Sequence, residues 1–152
     1  TLPGPMYGKL GGVSHARMTL DPLGRFVELR NEESFGKLAG RILAAAPGLP
    51  PETAAALLTD YLALSTDVSI DQNMRLVVPK QMRACLDDDT ELALVAVGDA
   101  VRIWSVAAFR RSEAERRAAL ARDYSKYVNV LLGLPAGSPA PAAAATDTGA
   151  NG

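Results

Sequence analysis

Along residues 68–86, VSIDQNMRLVVPKQMRACL, a short apolar run, a polar interruption and a second apolar run give way to helical spacing. That pattern predicts a strand, a turn, a second strand and a helix. Fifty residues earlier the chain does the same in MTLDPLGRFVELR, residues 18–30. In each copy an aspartate stands four before an arginine, Asp21 with Arg25 and Asp71 with Arg75, with Leu20 or Ile70 before it and Phe26 or Leu76 after it. The repetition predicts one supersecondary unit used twice.

Between and after these units the apolar spacing marks the other elements. Residues 1–12, TLPGPMYGKLGG, hold two prolines and four glycines and are expected to form an extended arm. Residues 13–20 read as a strand and residues 26–29 as its return. Phe35, Leu38, Ala39 and Ile42 fall at helical spacing over residues 32–46, with Asn31 or Ser34 as the cap. Prolines at 50 and 51 suit the first turn of a second helix, over residues 53–64. Residues 79–86 predict a short helix ended by DDD at 87–89, and residues 91–97, ELALVAV, a strand of buried type. Residues 101–104 are expected to pair with that strand across Gly98 and Asp99. From Phe109 onward runs a long helix with interleaved charges, and residues 133–152 have the composition of a disordered tail.

The aspartates supply a mechanism for the turns. Their carboxylates accept backbone N–H groups one or two residues on, and Gly24 or Asn73 can take the left-handed conformation a tight turn requires. The arginine four on can reach back to the aspartate as a fork or face a phosphate or base edge.

Together with GDAVRIW at residues 98–104, these motifs resemble the MraZ family of bacterial transcriptional regulators, built from two SpoVT/AbrB-like swapped-hairpin units. The similarity runs over residues 6–123 and is strongest from residue 57 onward. DPLGR stands in the first half, DQNMRLVVP in the second and GDAVRIWSVAAF near the end; Leu23 replaces a usual lysine and Leu29 a usual proline. The resemblance implies an α+β fold: two pseudo-symmetric swapped-hairpin units forming a small barrel, with flanking helices and a long C-terminal helix. Residues 1–12 are then an arm, 13–67 the first half, 68–132 the second half and 133–152 a Pro/Ala-rich tail. It also implies a ring homo-oligomer in the cytoplasm, associated with the nucleoid and bound to direct repeats of promoter DNA. Arg25 and Arg17 would face the groove, with Arg30 and Lys9 on phosphates and Asp21, Asp71 and Arg75 serving the scaffold.

Charge sharpens the picture. The chain carries a net charge of -1 with a pI near 5.8, so it is no bare polyanion clamp. Residues 6–30 nevertheless carry a net +2 and residues 31–67 a net -3, which makes the first motif the basic end. A structural protein of a virion or other large assembly, keeping the fold without DNA and contacting other structural proteins, is the alternative expectation. Neither a Ser/His/Asp set, a phosphate-cradling glycine loop nor a Cys/His cluster emerges, so no enzyme, cofactor or metal is expected. His15 reads as a polar strand residue, and Cys85 as a small buried residue that permits no intrachain disulfide. Nothing reads as a membrane span or signal peptide, and a soluble protein is expected.

Overall fold

The computed structural model describes residues 1–44, 48–87 and 91–134. The chain divides into two units, Thr1–Arg110 and Arg111–Gly152. The first is α+β. Its strands β1 (His15–Leu20), β2 (Val27–Arg30), β3 (Ser65–Ser69), β4 (Leu92–Val97) and β5 (Ala100–Ser105) form one antiparallel sheet in the order β3-β1-β2-β5-β4. Its described helices are α1 (Gly4–Lys9), α2 (Glu32–Ala44), α3 (Pro51–Ala63) and α4 (Lys80–Arg83), the last continued by a 3₁₀ turn over Ala84–Leu86; α5 (Val106–Leu131) starts at its end and makes up most of the described second unit.

The expected barrel is not closed. Among the described residues β3 and β4 do not pair with each other, and both remain outer strands of an open sheet. The second expected hairpin is also cut short. After the Asp71 turn a lone bridge joins Ile70 to Leu76, and the chain then leaves the ladder. Pro79 has no N–H to donate there, and the Val78 carbonyl accepts from Arg83 Nε at 2.9 Å instead of from a strand.

Residues 1–12 are not an extended arm. Pro3 and Pro5 start the helix α1, for which a fixed φ and a missing N–H cost nothing. Gly11 and Gly12, at φ +81° and +64°, follow it. Leu2 and Leu10 flank α1 and are buried in the core beside Met18, Val27, Leu29, Val101 and Ile103. The Leu2 N–H donates to the Met74 carbonyl at 2.8 Å, and Asn31 Nδ2 donates to the Leu10 carbonyl at 3.2 Å. Asn31 is also the cap of α2, its Oδ1 accepting from the Ser34 N–H at 2.8 Å.

The β1–β3 pairing carries the internal repeat. Its partners are His15–Ser69, Ala16–Val68, Arg17–Asp67, Met18–Thr66 and Thr19–Ser65. Replacing each residue by its counterpart fifty positions away exchanges these pairs among themselves, and the central pair consists of counterparts. The flanking hydrogen bonds obey the same exchange: the Leu20 N–H donates to the Leu64 carbonyl at 2.9 Å, and the Ile70 N–H to the Ser14 carbonyl at 2.8 Å. An antiparallel ladder always has a local twofold at its middle. Here that axis coincides with the one the sequence repeat defines.

The 91–97 run also differs from expectation. β4 is an outer strand whose residues are half-buried or exposed, while β5 is the buried member of the pair, because β2 and β4 flank it. In the second unit α5 carries the i,i+4 pair Arg117–Glu113 at 2.6 Å. Its last carbonyls accept from Gly133 and Leu134 at 3.1 and 2.8 Å. Asp88 and Asp89 of the DDD run, and the tail beyond Leu134, lie outside the described residues. No helix among the described residues is long and apolar enough to cross a membrane.

Candidate functional site

Two turns with nearly the same internal chemistry leave β1 and β3. In the first, the Gly24 N–H donates to the Asp21 carbonyl at 2.7 Å, and the Asp21 N–H to the Phe26 carbonyl at 3.0 Å. Gly24 takes φ +66°. Asp21 Oδ2 accepts from Arg25 Nε at 2.7 Å and from the Arg25 N–H at 3.3 Å, while Oδ1 accepts from Arg25 Nη2 at 3.2 Å. The Asp21 side chain is 7% exposed and that of Arg25 52%, so a buried carboxylate aims a half-exposed guanidinium. Burial pushes the Asp21 carboxyl up, but the Arg25 side chain and N–H, the Arg25 charge and the Leu23 N–H outweigh it, leaving the carboxyl below the ordinary range.

The second turn repeats the device. The Met74 N–H donates to the Asp71 carbonyl at 2.9 Å, and Asp71 Oδ1 accepts from the N–H groups of Asn73 and Arg75 at 2.8 and 2.9 Å. Arg75 Nε reaches Asp71 Oδ2 at 2.9 Å. The Arg75 N–H, ahead of its side chain and the Asn73 N–H, holds the Asp71 carboxyl below its usual value. Met74, at φ +58°, takes the left-handed position that corresponds to Gly24; Asn73 does not. The turn is also one residue tighter, since the Asp71 N–H meets the Arg75 carbonyl rather than that of Leu76. That gives the three-residue hairpin loop closed by a left-handed residue.

Because β1 and β3 run antiparallel, the two turns stand at opposite ends of their ladder, about 20 Å apart at strand rise. The basic residues expected on one surface are divided the same way. Arg25 projects at one end. Lys9, exposed in the last turn of α1, precedes Leu10, which is tied to Asn31 at the far end of the β1–β2 ladder. Arg17, 28% exposed, lies 3.3 Å from Glu32 and 3.2 Å from Asp67, with its guanidinium over the Phe35 ring at 4.7 Å.

Arg30 is 11% exposed. Its Nε donates to Glu28 at 2.7 Å, and its Nη1 to Ser34 and Asp99 at 2.8 and 2.9 Å. Glu28 accepts at its other oxygen from Arg102 Nε at 2.8 Å. Arg102 is a residue the motif reading missed. Its guanidinium lies 4.6 Å from the Phe26 ring centroid, and that of Arg25 lies 5.5 Å from the same centroid. Trp104 packs on Phe26 at 4.6 Å and fixes the platform. The outward place of Arg102 between the buried Val101 and Ile103 was the signal available in the sequence.

Among the described residues no group of His, Cys, Asp or Glu could hold a metal ion. Cys85 is half-buried; burial first, then Asp87 and Asp21, push its thiol upward, which suits an inert thiol. Neither a family model nor a curated protein matches the chain.

Proposed function

We propose that the chain is a DNA-binding regulator of the MraZ type, its two halves related as SpoVT/AbrB-like swapped hairpins, acting as a ring homo-oligomer on direct promoter repeats. The observation that carries this reading is the Asp21–Arg25 pair: a half-exposed guanidinium at a hairpin tip, oriented in advance by a buried carboxylate. Ordering of that kind lowers the entropy lost when a planar donor meets a phosphate or a guanine edge. The β1–β3 register supports a duplicated unit, since it exchanges the two halves.

Arg25 is the leading contact in this reading, beside Arg102 on the Phe26 platform. Arg30 is spent on Glu28, Ser34 and Asp99, and Arg17 on Glu32 and Asp67, so both brace the end of the β1–β2 ladder away from the turn. One arginine turn per end is a weak contact by itself. Repeated around an oligomer and matched to tandem sites, it gains effective concentration at each successive engagement. The internal use of Arg17 and Arg30 is also what favours the second reading, an assembly protein that keeps the fold without DNA.

A mobility-shift titration on tandem-repeat duplex at low and moderate salt separates the two. Arg25→Ala abolishes binding, Arg75→Ala spares it, and the wild-type affinity falls with salt as phosphate contacts require. Unchanged binding by Arg25→Ala ends the assignment.

A further inference from the structure

The two outer strands of the sheet are protected very differently. β3, STDVS, is mostly polar and carries Asp67, ion-paired to Arg17 at 3.2 Å. β4, LALVAV, has neither a charge nor a proline, and among the described residues no strand covers its outer edge. Its Ala96 and Val97 are exposed, Val97 by 40%. Soluble proteins blunt such edges with lysine, proline or a bulge, because an open row of N–H and C=O groups is a template for another strand. Among the described residues this edge is left open.

We propose that β4 pairs antiparallel with β4 of a second copy, joining two five-stranded sheets into one of ten strands across a twofold axis. The strand's complementarity to itself identifies the occupant. Leu92 and Leu94 pack against the core, so even-numbered side chains face it. A twofold that keeps both cores on one side of the joined sheet sets even positions opposite even ones. Centred on Leu94, it places Leu92 opposite Ala96 and Ala93 opposite Val95; centred on Val95, it places Leu94 opposite Ala96 and Ala93 opposite Val97. In both registers each alanine meets a larger side chain, and no charges confront one another. Pairing β4 with β3 of a second copy fits less well, because it sets Asp67 beside an apolar strand. The contact uses neither arginine turn and stands apart from the proposed DNA contacts.

Light scattering of the full chain at about 10 to 100 μM, a range suited to a contact smaller than a standard stable interface, tests it. Wild type, Val95→Glu, Val95→Lys and an equimolar mixture of the two variants are compared. Val95 pairs with Arg102 within the sheet, and circular dichroism of each variant checks that the fold survives. The variants place like charges at or beside the axis in either register, so each alone falls to half the wild-type mass or less, and the mixture restores it. A monomeric wild type, variants that keep the wild-type mass, or a folded mixture that stays at the mass of the variants alone overturns the proposal. Restoration by an unrelated peptide but not by the mixture overturns it as well. Arg25→Ala keeps the wild-type mass, so failure of the DNA reading and failure of this one register in different variants.

Discussion

At the scale of single residues, what distinguishes Asp21 from Asp71 is burial. Both carboxylates accept the backbone N–H and Nε of the arginine four on, but Asp21 is 7% exposed and Asp71 44%. The Asp21 carboxyl is held below its ordinary value in the fold, so the unfolded chain binds its proton first as pH falls. The stability it contributes is therefore complete above the unfolded value of about 4 and drains away as pH drops through the lower folded value. Urea unfolding of wild type and Asp21→Asn measures this: the variant is less stable at pH 7, and the gap narrows steadily below about pH 4. A gap that stays constant to pH 2 contradicts it. These turns were legible in the sequence because their hydrogen bonds join residues no more than five apart. The left-handed position was not fully so: Gly24 has the residue such a φ favours, whereas Met74 holds it against a strain of roughly 1 kcal/mol or more. Partly buried packing on the core and the bond from Leu2 hold Met74 there, and neither leaves a local mark in sequence.

At the scale of elements, the Glu28 carboxylate is the joint between β2 and β5. It faces Arg102 across the ladder and binds Arg30 on its own strand, and Arg30 in turn reaches the Gly98–Asp99 turn through Asp99 and the start of α2 through Ser34. Removing the shared anion takes the ion pair from Arg102 and leaves the buried Arg30 only Asp99 and Ser34, a loss of about 3 kcal/mol when one partner of such a pair is deleted. Glu28→Ala lowers the urea midpoint accordingly, while Glu28→Gln, which keeps an acceptor, loses less; equal midpoints for all three proteins contradict the joint. The β1–β2 and β4–β5 hairpins were read from local pattern, and β3 only from Val68 on, but the β1–β3 and β2–β5 pairings that join them into one sheet were not. An apolar run such as residues 91–97 looks the same whether it is central or outer, since periodicity reports side-chain faces and says nothing of the edges. The β2–β5 pairing joins residues more than seventy positions apart, and no local signal announces it.

At the scale of the whole molecule, residues 1–12 show how composition misleads. Four glycines and two prolines read as an arm, yet Leu2 is 3% exposed and Leu10 fully buried, both within the core cluster. Proline sits here at a helix start and two of the glycines at its end, the places where each favours helix boundaries rather than disorder. Burying a leucine stabilises by about 1.5–3 kcal/mol, so the two together contribute about 3–6 kcal/mol, a large share of the roughly 5–15 kcal/mol typical of a domain. Deleting residues 1–12 is therefore expected to cost several kcal/mol and lower the melting temperature by about 10 °C or more, as calorimetry reads it. Leu10→Ala alone costs about 3 kcal/mol. A peripheral arm would leave both unchanged. The deletion also distinguishes the two turns, because the Leu2 N–H binds the carbonyl of Met74, while the hydrogen bonds of the Asp21 turn come from its own residues. Amide exchange in the truncated protein, at a temperature where it stays folded, therefore speeds up around residues 71–75 more than around residues 21–25.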